Sequence, residues 1–236
     1  FQAALTSRKE MKLSLQVREV DWIETSGELG ALILEAKLIK ERMPSMNVKL
    51  RRSKDLCAWQ LTHDAVGVLR PSLVSHQELT PGLQDNLYGL FYSKREANAY
   101  LGAVSKKYRL CAALLGLEKV EEGKSCFAYQ VKQCAGACIG ESSLELHNLH
   151  VQTALNFYKV QAWPYQGAIA IKEGDEMIVL NNWCYLGTAI NEDELYELAD
   201  SEQVEFDLDI YKLLKKALAG AFKHQVIKLN QTQEPN

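Results

Sequence analysis

A chain of 236 residues with 47% hydrophobic side chains can bury one substantial core or two small ones. Its six cysteines are too few for a disulfide-dense secreted scaffold, and no apolar run reaches the length of a membrane span. A formal net charge of −3 excludes a uniformly basic nucleic-acid binder.

In chain order, residues 8–20 read as a helix, with Met11, Leu15 and Val20 among charged positions. Val20 to Glu24 alternates apolar and polar and reads as a short strand. Thr25-x-x-Glu28 reads as a capping box opening a helix with Leu29, Leu32, Ile33, Ala36 and Ile39 on one face, stopped by Pro44. Leu56–Leu61 and Val66–Leu69 read as strands joined around His63. A loop punctuated by Pro71 and Pro81 spans 70–87, then Leu87–Phe91 is a strand. Ser93-x-x-Glu96 caps a helix running to about Lys107, and residues 142–161 read as a long helix carrying His147 and His150. Ala168–Ile171 and Met177–Asn181 form a hairpin around Gly174-Asp175, continued as strand by Trp183–Leu186. Asn191-x-x-Glu194 caps a short helix, residues 208–220 form the last one, and the polar tail over 230–236 is expected to be disordered.

The charge is uneven. Residues 1–172 carry 22 basic and 17 acidic side chains, whereas 173–236 carry 5 and 13. Within 37–54 stand Lys37, Lys40, Arg42, Lys49, Arg51, Arg52 and Lys54 against Glu41 alone. Such a cluster can neutralise phosphates and release counterions, or form a solvated basic loop after a helix.

Four cysteines, Cys111, Cys126, Cys134 and Cys138, have fourteen, seven and three residues between them. Converging thiolates can enclose a zinc ion or an iron–sulfur cluster; the spacing is not that of a zinc ribbon. Cys134 and Cys138 would share one face of a helix, with Ala135, Gly136 and Ala137 leaving room for backbone amides to approach a cluster. The alternative is a set of ordinary buried thiols. Cys57 and Cys184, in apolar strands, read as core thiols.

The run from Tyr108 to Gly140 resembles the cysteine region of the UvrC family of excision-repair endonucleases, with the last three cysteines at the same spacing. Tyr-Gly-Leu-Phe at 88–91, Ser-Lys-Arg at 93–95, Leu-Leu-Gly-Leu-Glu at 114–118 and Cys-Ala-Gly-Ala-Cys at 134–138 are similar to the shorter, Cho-type members. So are Trp-Pro-Tyr-Gln-Gly at 163–167 and Asn-Trp-Cys-Tyr-Leu-Gly at 182–187. The strand–helix unit before Met-Pro-Ser-Met-Asn resembles the closing part of a GIY-YIG nuclease domain.

The resemblance implies a cytoplasmic DNA repair endonuclease of nucleotide excision repair. It would incise on the 3′ side of a lesion after damage-recognition proteins of the UvrA/UvrB type have prepared the DNA. It implies a [4Fe-4S] cluster on the four cysteines, with Zn2+ as the alternative. It places Glu35 as the catalytic carboxylate that binds one divalent cation, Mg2+ or Mn2+, a hard ion suited to oxygen ligands. Periodicity alone would leave Glu35 a helix-flank acid. In that context Lys40, Lys49, Arg51, Arg52 and Lys54 are expected to contact DNA. Asn47 resembles a structural asparagine of the nuclease domain and reads as a local backbone cap.

The chain begins at Phe1 rather than Met, so an upstream segment is expected, and no GIY or YIG triplet is present. These 236 residues alone are expected not to cut DNA. The expected architecture is α+β: residues 1–54 as the C-terminal part of a GIY-YIG domain and 55–229 as a Cho-like region. Two rivals remain. One is a fusion to a proofreading-type 3′–5′ exonuclease domain, of the DNA polymerase III epsilon kind, with which 185–188 and 206–212 are compatible. The other is a non-catalytic iron–sulfur module that binds DNA. His147 and His150 read as a satisfied surface pair, His63 and His76 as loop residues. Trp163, Tyr165 and Trp183 read as core aromatics, with stacking on unpaired bases as the alternative.

Overall fold

The structure, a computed structural model, describes residues 7–45, 56–121, 123–201, 205–220, 222 and 225–229. It is α+β, built on two antiparallel sheets. In the first, β1 (Cys57–His63) lies between β2 (Leu69–Ser75) and β3 (Leu87–Phe91). The second has the order β6-β5-β4-β7, from β4 (Ile169–Glu173), β5 (Glu176–Asn181), β6 (Cys184–Ala189) and β7 (Val226–Lys228).

Alternation along the strands divides the apolar residues between faces. Cys57, Trp59 and Leu61 of β1 pack under α3 (Lys94–Tyr108) and α5 (Leu144–Asn156). Ala58 turns to a larger core shared with Ile169, Ile171, Ile178 and Leu180 of the second sheet. That core is closed by α2 (Glu28–Arg42) and α7 (Leu208–Ala219), through Leu29, Ile33, Ala36, Leu214 and Leu218. Ala170 and Val179 face the opposite way, onto α6 (Glu192–Ala199).

Several local signals operate as the sequence foretells. The Ser93 hydroxyl accepts from Glu96 N at 3.2 Å and the Asn191 side chain from Glu194 N at 2.9 Å. The hairpin at Gly174 forms as expected, with Glu173 opposite Glu176.

Five expectations are corrected. α1 (Arg8–Ser14) is shorter than the 8–20 reading. Residues 20–24 form no strand, and Trp22 is 85% exposed. Alternation makes a strand only where a ladder partner exists, and none of the described strands pairs with it. Pro71 lies within β2, opposite Leu61, rather than in a loop. β2 is an edge strand, where a missing N–H can be tolerated.

Residues 157–161 leave α5 instead of extending it. Gly89 N donates to Tyr158 O and Val160 N to Leu87 O, both at 2.8 Å, so β3 captures this segment. Finally, Asn182 and Trp183, at φ 49° and 64°, form a two-residue reversal that makes β6 a separate strand. Trp183 is 1% exposed and packs edge-on between Trp163 and Tyr211, in line with the core reading of Trp163 and Trp183.

Candidate functional site

Four cysteines distant in sequence reach one point because a chain of tight turns delivers each. Arg109 ends α3 in the left-handed region at φ 53°, and Leu110 N donates to Ser105 O at 2.9 Å. That reversal sets Cys111 inward. Cys126 precedes the single turn α4 (Phe127–Gln130), whose first N–H is held by Glu118 Oε1 at 2.8 Å. Lys132, at φ 60°, turns the chain back toward Cys134, and Arg109 donates to its carbonyl at 3.0 Å. Gly136, at φ 81°, then starts a 3-10 turn over Ala137–Ile139 that carries Cys138.

Cys134 and Cys138 are therefore not on one face of an α-helix, as their spacing suggests. A Cβ on Gly136 would lie 2.9 Å from Glu141 Cβ and 3.0 Å from the Tyr129 ring, and its positive φ would add strain. Gly136 N donates to Cys134 Sγ at 3.4 Å, a contact to the cysteine's own sulfur.

The four sulfurs lie within 4.8 Å of one another, and no other group of metal-ligating side chains of this kind occurs among the described residues. Cys111, Cys126 and Cys134 are buried; Cys138 is half-buried. No disulfide joins them. Thiolates about 2.3 Å from a tetrahedral ion stand about 3.8 Å apart. Those around a four-iron cubane stand farther apart, because each thiolate binds a separate iron at a corner of the cluster. Cys111 Sγ and Cys126 Sγ are separated by 3.9 Å. The donor set thus has single-ion dimensions, and a cubane requires it to open. Cys138, on its short turn between Gly136 and Gly140, is the least buried of the four.

Burial pushes the thiols of Cys111 and Cys134 above the ordinary range, with the Gly136 N–H opposing it at Cys134. Burial acts the same way at Cys126, but the Tyr129 N–H and the thiols of Cys134, Cys138 and Cys111 donate to it and hold it below that range. Soft donors converging without a carboxylate among them suit zinc or iron–sulfur chemistry.

Glu35 stands on the solvent face of α2, whose buried side is Leu29, Ile33, Ala36 and Ile39. It forms no hydrogen bond or ion pair among the described residues. The helix beneath it is held at its N-terminus by a residue that local sequence does not point to. The Glu173 carboxylate accepts from Leu29 N at 3.0 Å and Gly30 N at 2.8 Å. Thr25, expected to cap this helix, instead donates to Gly27 O at 3.2 Å.

Lys40 does not face open solvent as a DNA contact would. Its ammonium pairs with Asp207 and, at 3.3 Å, with Asp209 at the start of α7. Lys49, Arg51, Arg52, Lys54 and Asn47 lie outside the described residues, as does the 230–236 tail. His147 is buried rather than on the surface, at 4% exposure, and its Nε2 has no hydrogen-bond partner among the described residues; His150 is exposed. Cys57 and Cys184 are buried in the core, as expected.

Three family models match the chain: a UvrC-like GIY-YIG domain over residues 1–48, the UvrC/Cho excinuclease middle domain over 56–157 and the excinuclease Cho C-terminal domain over 168–233. The middle-domain match contains all four converging cysteines. The chain is 38% identical to the excinuclease Cho of Salmonella typhimurium over 96% of its own length and 76% of that protein's. It is 41% identical to the excinuclease Cho of Escherichia coli K12, over 91% and 72%. To the UvrABC system protein C of Methanospirillum hungatei it is 29% identical, over 64% of this chain and 27% of that one. No solved structure matches it.

Proposed function

The chain belongs to the UvrC/Cho excinuclease family, and on that premise we propose that it is part of a nucleotide excision repair endonuclease that cuts damaged DNA on the 3′ side of a lesion. The observation that carries this reading is the convergence of Cys111, Cys126, Cys134 and Cys138 within 4.8 Å, the geometry that a tetrathiolate centre requires.

In this reading residues 1–54 contribute to the nuclease domain, and 55–229 form the region that houses the metal centre and grips DNA. Glu35 is the catalytic carboxylate. Its exposure leaves its oxygens available to a hard cation and a phosphodiester, and the core under α2 keeps the helix from shifting. Mg2+ or Mn2+ held there would polarise the scissile phosphate and stabilise the leaving oxygen. Lys49, Arg51, Arg52 and Lys54 contact phosphate; Lys40, already paired with Asp207 and Asp209, holds α2 to α7.

The four cysteines hold one metal centre whose role is to tie four turns into a single rigid unit. Sulfur spacing favours a single zinc ion, and the family resemblance favours [4Fe-4S]. Damage-recognition proteins of the UvrA/UvrB type are the proposed partners, and the proposed location is the cytoplasm.

Incision of a lesion-bearing, end-labelled duplex by the complete protein, with the damage-recognition proteins and Mg2+ or Mn2+ present, tests the assignment. Glu35→Gln is expected to lower the cutting rate at least about 100-fold while DNA affinity stays within twofold, because a missing ligand at the reacting phosphate is felt mainly in the transition state. Cutting by the variant at the unaltered rate removes Glu35 from the mechanism.

A further inference from the structure

Where the chain leaves α5, two aromatic residues meet solvent. Phe157 is 77% exposed and makes no ring contact among the described residues. Tyr158 is backed edge-on by Tyr100 at 4.6 Å. Phe157 is the helical C-cap of α5, and the backbone bonds that Tyr158 O and Val160 N make to β3 fix the turn that presents it.

Beside it runs a groove of about 540 Å3 with α7 as its far wall. Lys212, Lys215 and Lys216 line it from one face of α7, and Lys159 lines it from the Phe157 side. Among the described residues no aspartate or glutamate lines the groove, and none of these lysines forms an ion pair. A second depression of about 490 Å3 shares Phe157 and Lys159 with the first. This concentration of positive charge lies largely within the acidic part of the chain, where residues 173–236 have 13 acids against 5 bases.

Lysines near a helix C-terminus favour the helix dipole, which accounts for Lys216. It does not account for Lys159 on a different element, nor for an uncovered phenyl ring beside it. An unpaired nucleic acid strand matches both features: its phosphates take the ammonium groups and a base takes the ring face.

We propose that this groove grips an unpaired stretch of DNA, with phosphates on Lys159, Lys212, Lys215 and Lys216 and a base stacked on Phe157. The proposal rests on the reading above that the substrate is DNA, and deepens it by assigning one strand, unpaired, to a face remote in sequence from Glu35.

Fluorescence anisotropy with a labelled single-stranded oligonucleotide, and with a duplex of the same length, tests it over a salt series. The probe variant is Lys159→Glu/Lys215→Glu/Lys216→Glu; Lys106→Glu/Lys119→Glu/Lys172→Glu makes the same charge change elsewhere. Circular dichroism and Tm confirm that each is folded.

The probe variant is expected to raise the single-strand Kd at least tenfold and to reduce the slope of log Kd against log salt by about 2, at about 0.7 for each phosphate no longer neutralised. Phe157→Ala is expected to raise that Kd about threefold or more with an unchanged slope. Unchanged affinity overturns the proposal and leaves the groove to a protein partner. An equal loss in the control, or an equal loss of duplex binding, also overturns it. Unaltered DNA affinity of the probe variant in a protein that still incises defeats this inference alone. Absence of any DNA affinity in the unaltered protein defeats the functional reading with it.

Discussion

Glu173 and Gly30 lie 143 residues apart in sequence, yet the Glu173 carboxylate accepts Gly30 N at 2.8 Å and also holds Leu29 N. One carboxylate from β4 thus closes two open donors at the start of the helix that bears Glu35. Gly27 leaves the space for it, since a Cβ there would lie 2.4 Å from Glu173 Cδ. Glu173→Ala is expected to cost about 2 kcal/mol, the loss of a charged cap in a buried setting. Gly27→Ala is expected to cost about 1–2 kcal/mol, most of which disappears in the Glu173→Ala background. Urea unfolding of the two single variants and the double variant measures the coupling; additive losses would show that the two residues do not act together.

Lys40 offers a second test of long-range pairing. Asp209 Oδ2 is buried with no hydrogen bond among the described residues, and the Lys40 ammonium at 3.3 Å supplies its compensating charge. Asp207 caps α7 at Asp209 N and Ile210 N and shares the same ammonium. Lys40→Met is expected to destabilise by about 2 kcal/mol by stranding these carboxylates. DNA affinity measured on the folded variant is expected to stay within twofold, and a tenfold loss would return Lys40 to the DNA surface.

Metal content separates the four clustered thiols from the two core thiols. Cys111→Ser, Cys126→Ser, Cys134→Ser and Cys138→Ser are each expected to lower metal per chain and to lose several degrees of Tm, because metal binding and folding are linked. Cys57→Ala and Cys184→Ala are expected to retain the metal while costing about 1 kcal/mol of packing. Elemental analysis and visible spectra of anaerobically purified protein read both results. Brown protein with broad visible absorption reports a [4Fe-4S] cluster; colourless protein with one zinc per chain reports the single ion.

His147 predicts an acid-sensitive element. Burial pushes its pKa down to about 4, with His150 and Arg70 adding to the effect. The folded state therefore holds the imidazole neutral, whereas the unfolded chain takes up a proton below about 6.5. The resulting stability is fully present above about pH 6.5 and is lost as pH falls toward 4. The loss amounts to about 1–2 kcal/mol once solvent near the helix is allowed for. Equilibrium unfolding between pH 4 and 7 is expected to show a shallower pH slope for His147→Leu than for the unaltered protein; equal slopes would assign the acid sensitivity elsewhere.

Features settled within four residues were legible in the chain alone. Ser93 with Glu96 and Asn191 with Glu194 cap their helices because each side chain needs only the neighbouring backbone. Hairpin alternation around Gly174 was equally visible, and the spacing of the cysteines, with the short motifs on either side, carried the family resemblance. The turn chemistry at Asn182-Trp183 was missed because a buried tryptophan rarely occupies the left-handed region.

The tertiary structure alone decided what required closure of a long loop. It chose Glu173 over Thr25 as the cap, committed Lys40 to Asp207 and Asp209, and buried His147. It turned 157–161 away from α5 onto β3 and so set Lys159 opposite the lysines of α7. Sequence reports what a side chain can reach within its own turn of backbone. Which distant charge or donor it meets depends on how the two sheets share a core, and burial then makes each unpaired group costly enough to enforce the match.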